Sequence, residues 1–372
     1  MEVRTLVLHV GIHKTASTYI QHRLKRNQPF LRQQGLLYPK RRRDHLQLVK
    51  ALVANDPRPW RKLLRRAAHR NATPLVSAEL LSVLLHRPAA QGSHLTLLGR
   101  LCIWLDAAGV RLHLVAFIRD QPSYLNSRYT QLIKRLYFAL SFRRYVLQTL
   151  RCGGDSECDY ERLFVEALDD PRVVTSFLPF RSGEADPCER LLASIGVADC
   201  AALTPLTRPS NVQPGWRAVW LAQRLARLLR HRYPEAWSNA ACKAHIRDAL
   251  ERCSHHQGWQ VEPFQGLTAA LQSQIEEHYG PANERFAQRV WGCSWRSLFS
   301  SNVPQPSPHM PLDRDERRRL LALADPMLQD VVSSFTQSVP QRSPQSLTGS
   351  SAGIQGSAEV DPVDHSSSSL SA

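Results

Sequence analysis

The sequence predicts an α/β fold in which a central parallel sheet is covered by helices on both faces. Two apolar strands, over residues 6–10 and 112–118, are each followed by a short polar loop and a helical stretch. Long helical segments separate the predicted strands, and parallel strands need crossover connections of this kind. At 372 residues, the chain is long enough for one elaborated α/β domain or for two smaller ones.

The first strand-loop-helix unit lies at the N-terminus. The apolar strand over 6–10 is bounded by Gly11, and the charged stretch that begins near Ser17 places Ile20 and Leu24 on one helical face. This unit is therefore predicted to begin the sheet.

The same pattern repeats at the strand over 112–118. Pro122 follows closely and suits the first turn of a helix that extends to about Tyr137. Weaker strands are predicted at 74–77 and 172–178. Arginine-rich helical segments are predicted at 45–70, 94–108, 134–151, 215–233, 241–253 and 267–290.

The composition changes near residue 300, where serine, proline and glutamine become frequent. We therefore predict one domain over residues 1–300 and an extra helix within 301–336, where the stretch 313–335 is amphipathic. Residues 337–372 are predicted to be disordered because they hold too few apolar side chains to form a core.

Charge and composition limit the classes of partner. Lysine and arginine outnumber aspartate and glutamate by 48 to 32, which gives a net charge of +16. Such a field favours a nucleic acid, a phosphorylated cofactor, or an acidic glycan or lipid surface.

No apolar run approaches the ~20 residues that cross a bilayer. The N-terminus lacks a cleavable leader pattern, and the eight cysteines form no C-x-x-C pair, so we expect a cytoplasmic protein with reduced thiols and no metal site.

Residues 11–18, GIHKTAST, form a candidate anion site between the first strand and its helix. The free N–H groups and the dipole of a helix N-terminus attract anions, Lys14 adds a positive charge, and Thr15, Ser17 and Thr18 add hydroxyl groups. In a Walker A loop the lysine comes late, after a glycine. Here the lysine comes first.

This order resembles the 5′-phosphosulfate loop of sulfotransferases that use 3′-phosphoadenosine 5′-phosphosulfate (PAPS). Ala16 stands where those loops usually carry glycine, which restricts the backbone there. In the same family, an arginine at the end of a second strand and a serine eight residues later hold the 3′-phosphate. Arg119 and Ser127 match that pattern.

Further matches extend the resemblance to bacterial carbohydrate and lipopolysaccharide sulfotransferases and span most of residues 5–295. They are the stretch GLLYP at 35–39, DHL at 44–46, SAE at 77–79, SRYTQ at 127–131, Asp159 with Tyr160, PSN at 209–211, and Tyr279 with Asn283. The resemblance implies a three-layer fold similar to P-loop NTPases, with helix-rich insertions. It also implies transfer of a sulfuryl group from PAPS to a hydroxyl of a carbohydrate or glycolipid.

The resemblance also assigns roles to particular residues. Lys14 would neutralise charge on the leaving phosphate, and residues 14–18, including Ala16, would hold the 5′-phosphate. Glu79 follows the strand over 74–77, where family members place a catalytic histidine or carboxylate. His45 is a second candidate base because an imidazole titrates near neutral pH.

Two other functions remain open on the sequence. A P-loop kinase or another nucleotide-binding enzyme would need Mg²⁺. Asp120 loosely resembles the aspartate at the end of a strand that binds Mg²⁺ in such enzymes. A basic nucleic-acid-binding protein would explain the net charge, although no binding module is present. The identity of the acceptor and the oligomeric state do not follow from the residues.

Overall fold

The fold is built around five parallel strands. In the computed structural model, which describes residues 4–151, 157–181, 183–206, 213–299 and 312–338, these are β1 (Arg4–His9), β2 (Leu36–Leu37), β3 (Thr73–Ser77), β4 (Val110–Ile118) and β5 (Val173–Pro179). They form one sheet in the order β2-β3-β1-β4-β5. The predicted α/β class and central parallel sheet are confirmed.

Sixteen α-helices surround the sheet in the described part of the chain. They are α1 (Ser17–Arg26), α2 (Gln28–Gln33), α3 (Arg42–Val53), α4 (Arg58–His69), α5 (Leu81–Leu84), α6 (Leu97–Asp106), α7 (Gln121–Lys134), α8 (Phe142–Arg151), α9 (Tyr160–Asp169), α10 (Pro187–Ser194), α11 (Trp216–Arg232), α12 (Pro234–Ser238), α13 (Ala240–His256), α14 (Ala269–Trp291), α15 (Trp295–Phe299) and α16 (Arg314–Ser338).

Alternate residues of the strands enter two separate cores, one on each face of the sheet. Leu6 and Leu8 of β1 belong to the larger core. All helices from α3 to α16 except α10 contribute side chains to this core. Val7 points to the opposite face and packs with α1, α2 and α10. Both faces of the sheet are therefore covered, as the long apolar strands require.

The structure divides one segment that the sequence treats as continuous. The predicted helix over 45–70 is two helices, α3 and α4, because Asn55 adopts a left-handed conformation with φ 56° and Pro57 starts a new helix. The sequence also missed β2, whose two residues are too short for a periodic pattern.

The amphipathic stretch 313–335 coincides with α16, which packs on α11 and α13 and buries Leu320 and Leu328. Of the predicted disordered tail, residues 337–338 belong to α16, and residues 339–372 lie outside the described residues. None of the helices that the structure describes is both long and apolar enough to cross a membrane.

Candidate active site

The candidate site lies at the carboxyl ends of three neighbouring strands. β1 is central, with β3 on one side and β4 on the other. The loop 10–16 leaves β1, Glu79 follows β3, and Arg119 follows β4. Residues that are far apart in sequence meet here, because the carboxyl ends of parallel strands share one edge of the sheet.

The loop between β1 and α1 contains two residues with a left-handed backbone. Lys14 and Ala16 both adopt left-handed conformations, with φ 66° and 60°. Alternation of left-handed residues with others turns successive N–H groups toward one concave side, and the free N–H groups of the α1 N-terminus follow directly. The left-handed residues of the loop are thus of the kind found in backbone anion-binding turns.

Close packing fixes the loop. A Cβ atom on Gly11 would lie 1.9 Å from Ser17 Oγ, so only glycine fits at this position. Thr15 is fully buried, and its hydroxyl donates a hydrogen bond of 2.6 Å to the carbonyl of Ile12. Ser17 is 4% exposed, and its Oγ atom has no hydrogen-bond partner among the described residues. Thr18, the next hydroxyl, is exposed.

Positive charge is concentrated around Lys14. Burial lowers the pKa of Lys14 to about 8, and the positive charges of Arg119, Arg128 and Arg135 act in the same direction. Glu79 opposes them. An anion in the loop would relieve this repulsion, because it favours the charged form of the lysine.

Arg119 connects the end of β4 to the loop. Its Nη1 atom donates to the carbonyl oxygen of Lys14 at 2.8 Å, and burial lowers the pKa of its guanidinium. The carbonyl of Arg119 accepts a hydrogen bond of 2.6 Å from the hydroxyl of Tyr160, at the start of α9. Arg119 is thus held beside the loop from both its backbone and its side chain.

Asp120 has a structural role in the free protein. Its Oδ1 atom accepts a hydrogen bond of 2.9 Å from the N–H of Ser123, so it caps the N-terminus of α7. Its side chain is buried, and burial raises the pKa of the carboxyl group. These features differ from those of an open Mg²⁺ ligand.

Ser127 lies half-buried in the second turn of α7, and its carbonyl accepts a hydrogen bond from Thr130. The start of this helix is tied to α14 by two reciprocal hydrogen bonds between the side chains of Gln121 and Asn283, of 2.7 and 2.8 Å. Asn283, part of the family-like pattern, therefore helps to position α7. Residues 209–211 of that pattern lie outside the described residues. Of the other late matches, Tyr160, Tyr279 and Asn283 lie in helices, and Asp159 caps the N-terminus of α9.

Glu79 stands at the opening of the loop, in the turn between β3 and α5. A Cβ atom on Gly11 would lie 3.8 Å from its Cγ atom. Its Oε1 atom is 2.8 Å from Nδ1 of His13. Burial raises the pKa of Glu79, but the hydrogen bond and charge of His13, together with the charges of Arg128 and Lys14, outweigh it and lower the pKa overall.

The sequence missed the carboxylate that completes this cluster and the two side chains of α7 that hold it. Nε2 of His13 lies 3.7 Å from Oε1 of Glu157, which is also 3.5 Å from Nη2 of Arg128. The hydroxyl of Tyr124 donates to the other oxygen of Glu157. The spacing of Tyr124 and Arg128, one helical turn apart, indicates a shared face of α7, whereas no sequence signal points to Glu157.

His45 is a buried histidine with hydrogen-bond partners at both ring nitrogens. It is 6% exposed; its Nε2 atom lies 3.0 Å from the carbonyl of Pro39, and its Nδ1 atom accepts from the N–H of Ser77 at 3.3 Å. This pattern assigns the proton to Nε2, and burial lowers the pKa of the imidazole. Both nitrogens are engaged, so His45 has a structural role and Glu79 remains as the candidate base.

No family model, curated protein or solved structure matches the chain. Among the residues that the structure describes, no three histidine, cysteine, aspartate or glutamate side chains are grouped closely enough to hold a metal ion. The geometry of the site and its charges are therefore the basis for a function.

Proposed function

We propose that the protein is a sulfotransferase that moves a sulfuryl group from PAPS to a hydroxyl of a carbohydrate or glycolipid acceptor. The observation that carries the proposal is the meeting of three features at one edge of the sheet. These are an anion-binding loop that contains Lys14, an arginine at the end of the next strand, and a carboxylate beside the loop. Lys14 and Arg119 would each contact one of the two phosphates of this nucleotide.

The strand order also supports a nucleotide in this position. The chain passes from β1 to the β3 side of the sheet and later crosses to β4 on the other side of β1. Ligands of open α/β sheets bind in the crevice that such a reversal creates at the carboxyl ends of the strands. The resemblance to P-loop NTPase-like folds remains part of the proposal.

The loop would bind the 5′-phosphate through its backbone N–H groups and through the hydroxyl groups of Thr18 and Ser17. Ser17 Oγ is buried and unpartnered in the part of the chain described, so a phosphate oxygen would complete its hydrogen bonding. Arg119 would hold the 3′-phosphate, with Ser127 as a second donor. Bound PAPS supplies the activated sulfuryl group.

Lys14 would stabilise negative charge on the leaving phosphate. Transfer of a sulfuryl group is an in-line displacement, so the protein contributes positioning and electrostatic stabilisation rather than covalent chemistry. The burial of Lys14 strengthens its interaction with an anion, because water screens it less. Glu79 would accept the proton of the acceptor hydroxyl.

The proposal is tested by incubating the purified protein with labelled PAPS and fractionated glycans, lipids and small metabolites, with and without a metal chelator. We expect labelled product in the presence of chelator and a large loss in Lys14→Met. Lys25→Met is the matched control, because Lys25 is exposed on α1. Phosphoryl transfer from ATP that chelation abolishes would support a kinase instead. Salt-sensitive binding of nucleic acid without transfer would support the third function.

A further inference from the structure

We propose that His13 is a positioning residue that fixes the carboxylate of Glu79 toward the acceptor and so selects Glu79 as the base. The inference rests on the proposed function, because it assigns a role within that reaction. Its starting point is a direct contact between two side chains that are 66 positions apart in sequence.

The contact orients one oxygen of Glu79 and leaves the other for chemistry. Nδ1 of His13 lies 2.8 Å from Oε1, and because an ionised carboxylate only accepts, the proton is assigned to Nδ1. No hydrogen bond or ion pair of Oε2 is found among the described residues. A glutamate side chain has three rotatable bonds, so an anchored Oε1 removes most of the freedom that would misplace Oε2.

A second carboxylate lies on the other side of the imidazole. Oε1 of Glu157 lies 3.7 Å from Nε2, and Glu157 is itself held by Arg128 at 3.5 Å and by the hydroxyl of Tyr124. The imidazole thus lies between the carboxylates of Glu79 and Glu157, and two side chains of α7 contact Glu157. A base that is oriented by a third group is a recurring arrangement in catalytic sites.

The loop backbone adds rigidity to this arrangement. His13 immediately precedes Lys14, whose left-handed backbone is held by Arg119. The register of β1 with β3 pairs His9 with Ser77, which places the residues that follow each strand side by side. The two adjacent strands therefore bring the loop that carries His13 close to Glu79.

The charged groups around Glu79 keep it ionised. Lys14 from the loop, Arg128 from α7 and His13 all favour the carboxylate, while burial opposes it, and the pKa of Glu79 is lowered overall. His9, at the end of β1, is also within electrostatic range of Glu79, but burial lowers the pKa of its imidazole to about 4 and it is neutral near pH 7. The site therefore holds an unprotonated base at neutral pH.

The transfer step follows from this geometry. The acceptor oxygen forms a bond to sulfur while the bond from sulfur to the bridging phosphate oxygen breaks, and that electron pair leaves with the nucleotide. The hydroxyl proton passes to Oε2 of Glu79 and later to solvent. His13 keeps its hydrogen bond to Oε1 and takes no part in the proton transfer.

The test compares two variants of His13 in the full-length protein. His13→Asn retains an N–H donor close to the position of Nδ1, whereas His13→Leu has similar volume and no donor. We expect His13→Leu to lower kcat by about 10- to 100-fold, with the KM for PAPS retained, and to shift the acid limb of the pH profile upward. His13→Asn should recover most of the rate. His22→Leu, in an exposed histidine of α1, is the matched control.

A second readout needs no activity. The carboxyl carbon of Glu79, assigned in ¹³C-labelled protein by comparison with Glu79→Gln, should titrate at higher pH in His13→Leu than in the wild-type protein. Thermal unfolding establishes that each variant is folded. If the wild-type protein transfers sulfuryl groups but His13→Leu keeps its rate, pH profile and Glu79 titration, the positioning role of His13 is overturned. The proposed function then still stands. If the wild-type protein transfers none, the proposed function fails and the catalytic role of His13 fails with it.

Discussion

Arg119 offers the sharpest separation between two roles that the same side chain could have. Its Nη1 atom donates to the carbonyl of Lys14 at 2.8 Å, so it supports the loop in the free protein. Under the proposed function it also contacts the 3′-phosphate of the nucleotide. Arg119→Ala removes both interactions. Comparing a nucleotide that has a 3′-phosphate with one that lacks it distinguishes the two effects.

The magnitude follows from the charged hydrogen bonds that are lost. Each contact of this kind contributes about 1.5–3 kcal/mol, which corresponds to about a 10- to 150-fold change in affinity. We expect the variant to bind 3′-phosphoadenosine 5′-phosphate more weakly by this factor. Its affinity for adenosine 5′-phosphate, which lacks the 3′-phosphate, should fall much less. Arg119→Lys should restore little, because a lysine lacks the planar fork of donors.

Calorimetric titration of both nucleotides into both proteins measures the four affinities. Arg111→Ala is the matched control, since Arg111 is an exposed arginine near the amino end of the same strand. If Arg119→Ala weakens both nucleotides equally, the side chain acts only through the loop. Assignment of Arg119 to the 3′-phosphate would then be refuted.

Three further predictions address the loop and the C-terminal helix. Ala16→Gly should stabilise the free protein by about 1 kcal/mol in urea unfolding, because Ala16 has φ 60°; an unchanged or lower stability would contradict the left-handed conformation. Affinity for 3′-phosphoadenosine 5′-phosphate should fall as pH rises through about 8, where Lys14 in the free protein loses its charge. Lys14→Met should bind weakly without that fall, and the same pH dependence in the variant would assign it to another group. Truncation after residue 338 should leave the melting temperature unchanged, whereas truncation after residue 299 should lower it, because α16 buries Leu320 and Leu328 at ~1.5–3 kcal/mol each. Equal melting temperatures for the two truncations would show that α16 does not stabilise the domain.

The strand-loop-helix units were predictable because each depends on local sequence. An apolar strand followed closely by Gly11 and a helix that starts at Ser17 require no knowledge of the rest of the chain. The same holds for β4 and α7, where Asp120 and a proline mark the helix start. The loop could therefore be located from the sequence, and so could Arg119 at the end of the adjacent strand.

The partners of individual side chains were less predictable, because they depend on strand register and helix placement. His45 has a residue type that suits a base, but the packing of α3 against the sheet engages both of its nitrogens. His13 reaches Glu79 only because β1 and β3 are adjacent and in register. Glu157 joins the cluster from a segment with no distinguishing pattern.

The central claim is tested most directly by calorimetric titration of the full-length protein with 3′-phosphoadenosine 5′-phosphate in the presence of a metal chelator. Two positive centres at the ends of β1 and β4 predict saturable binding of one nucleotide per chain. Adenosine 5′-phosphate, which lacks the 3′-phosphate, should bind much more weakly. Folded protein that gives no binding heat and no thermal stabilisation at millimolar nucleotide would contradict the account.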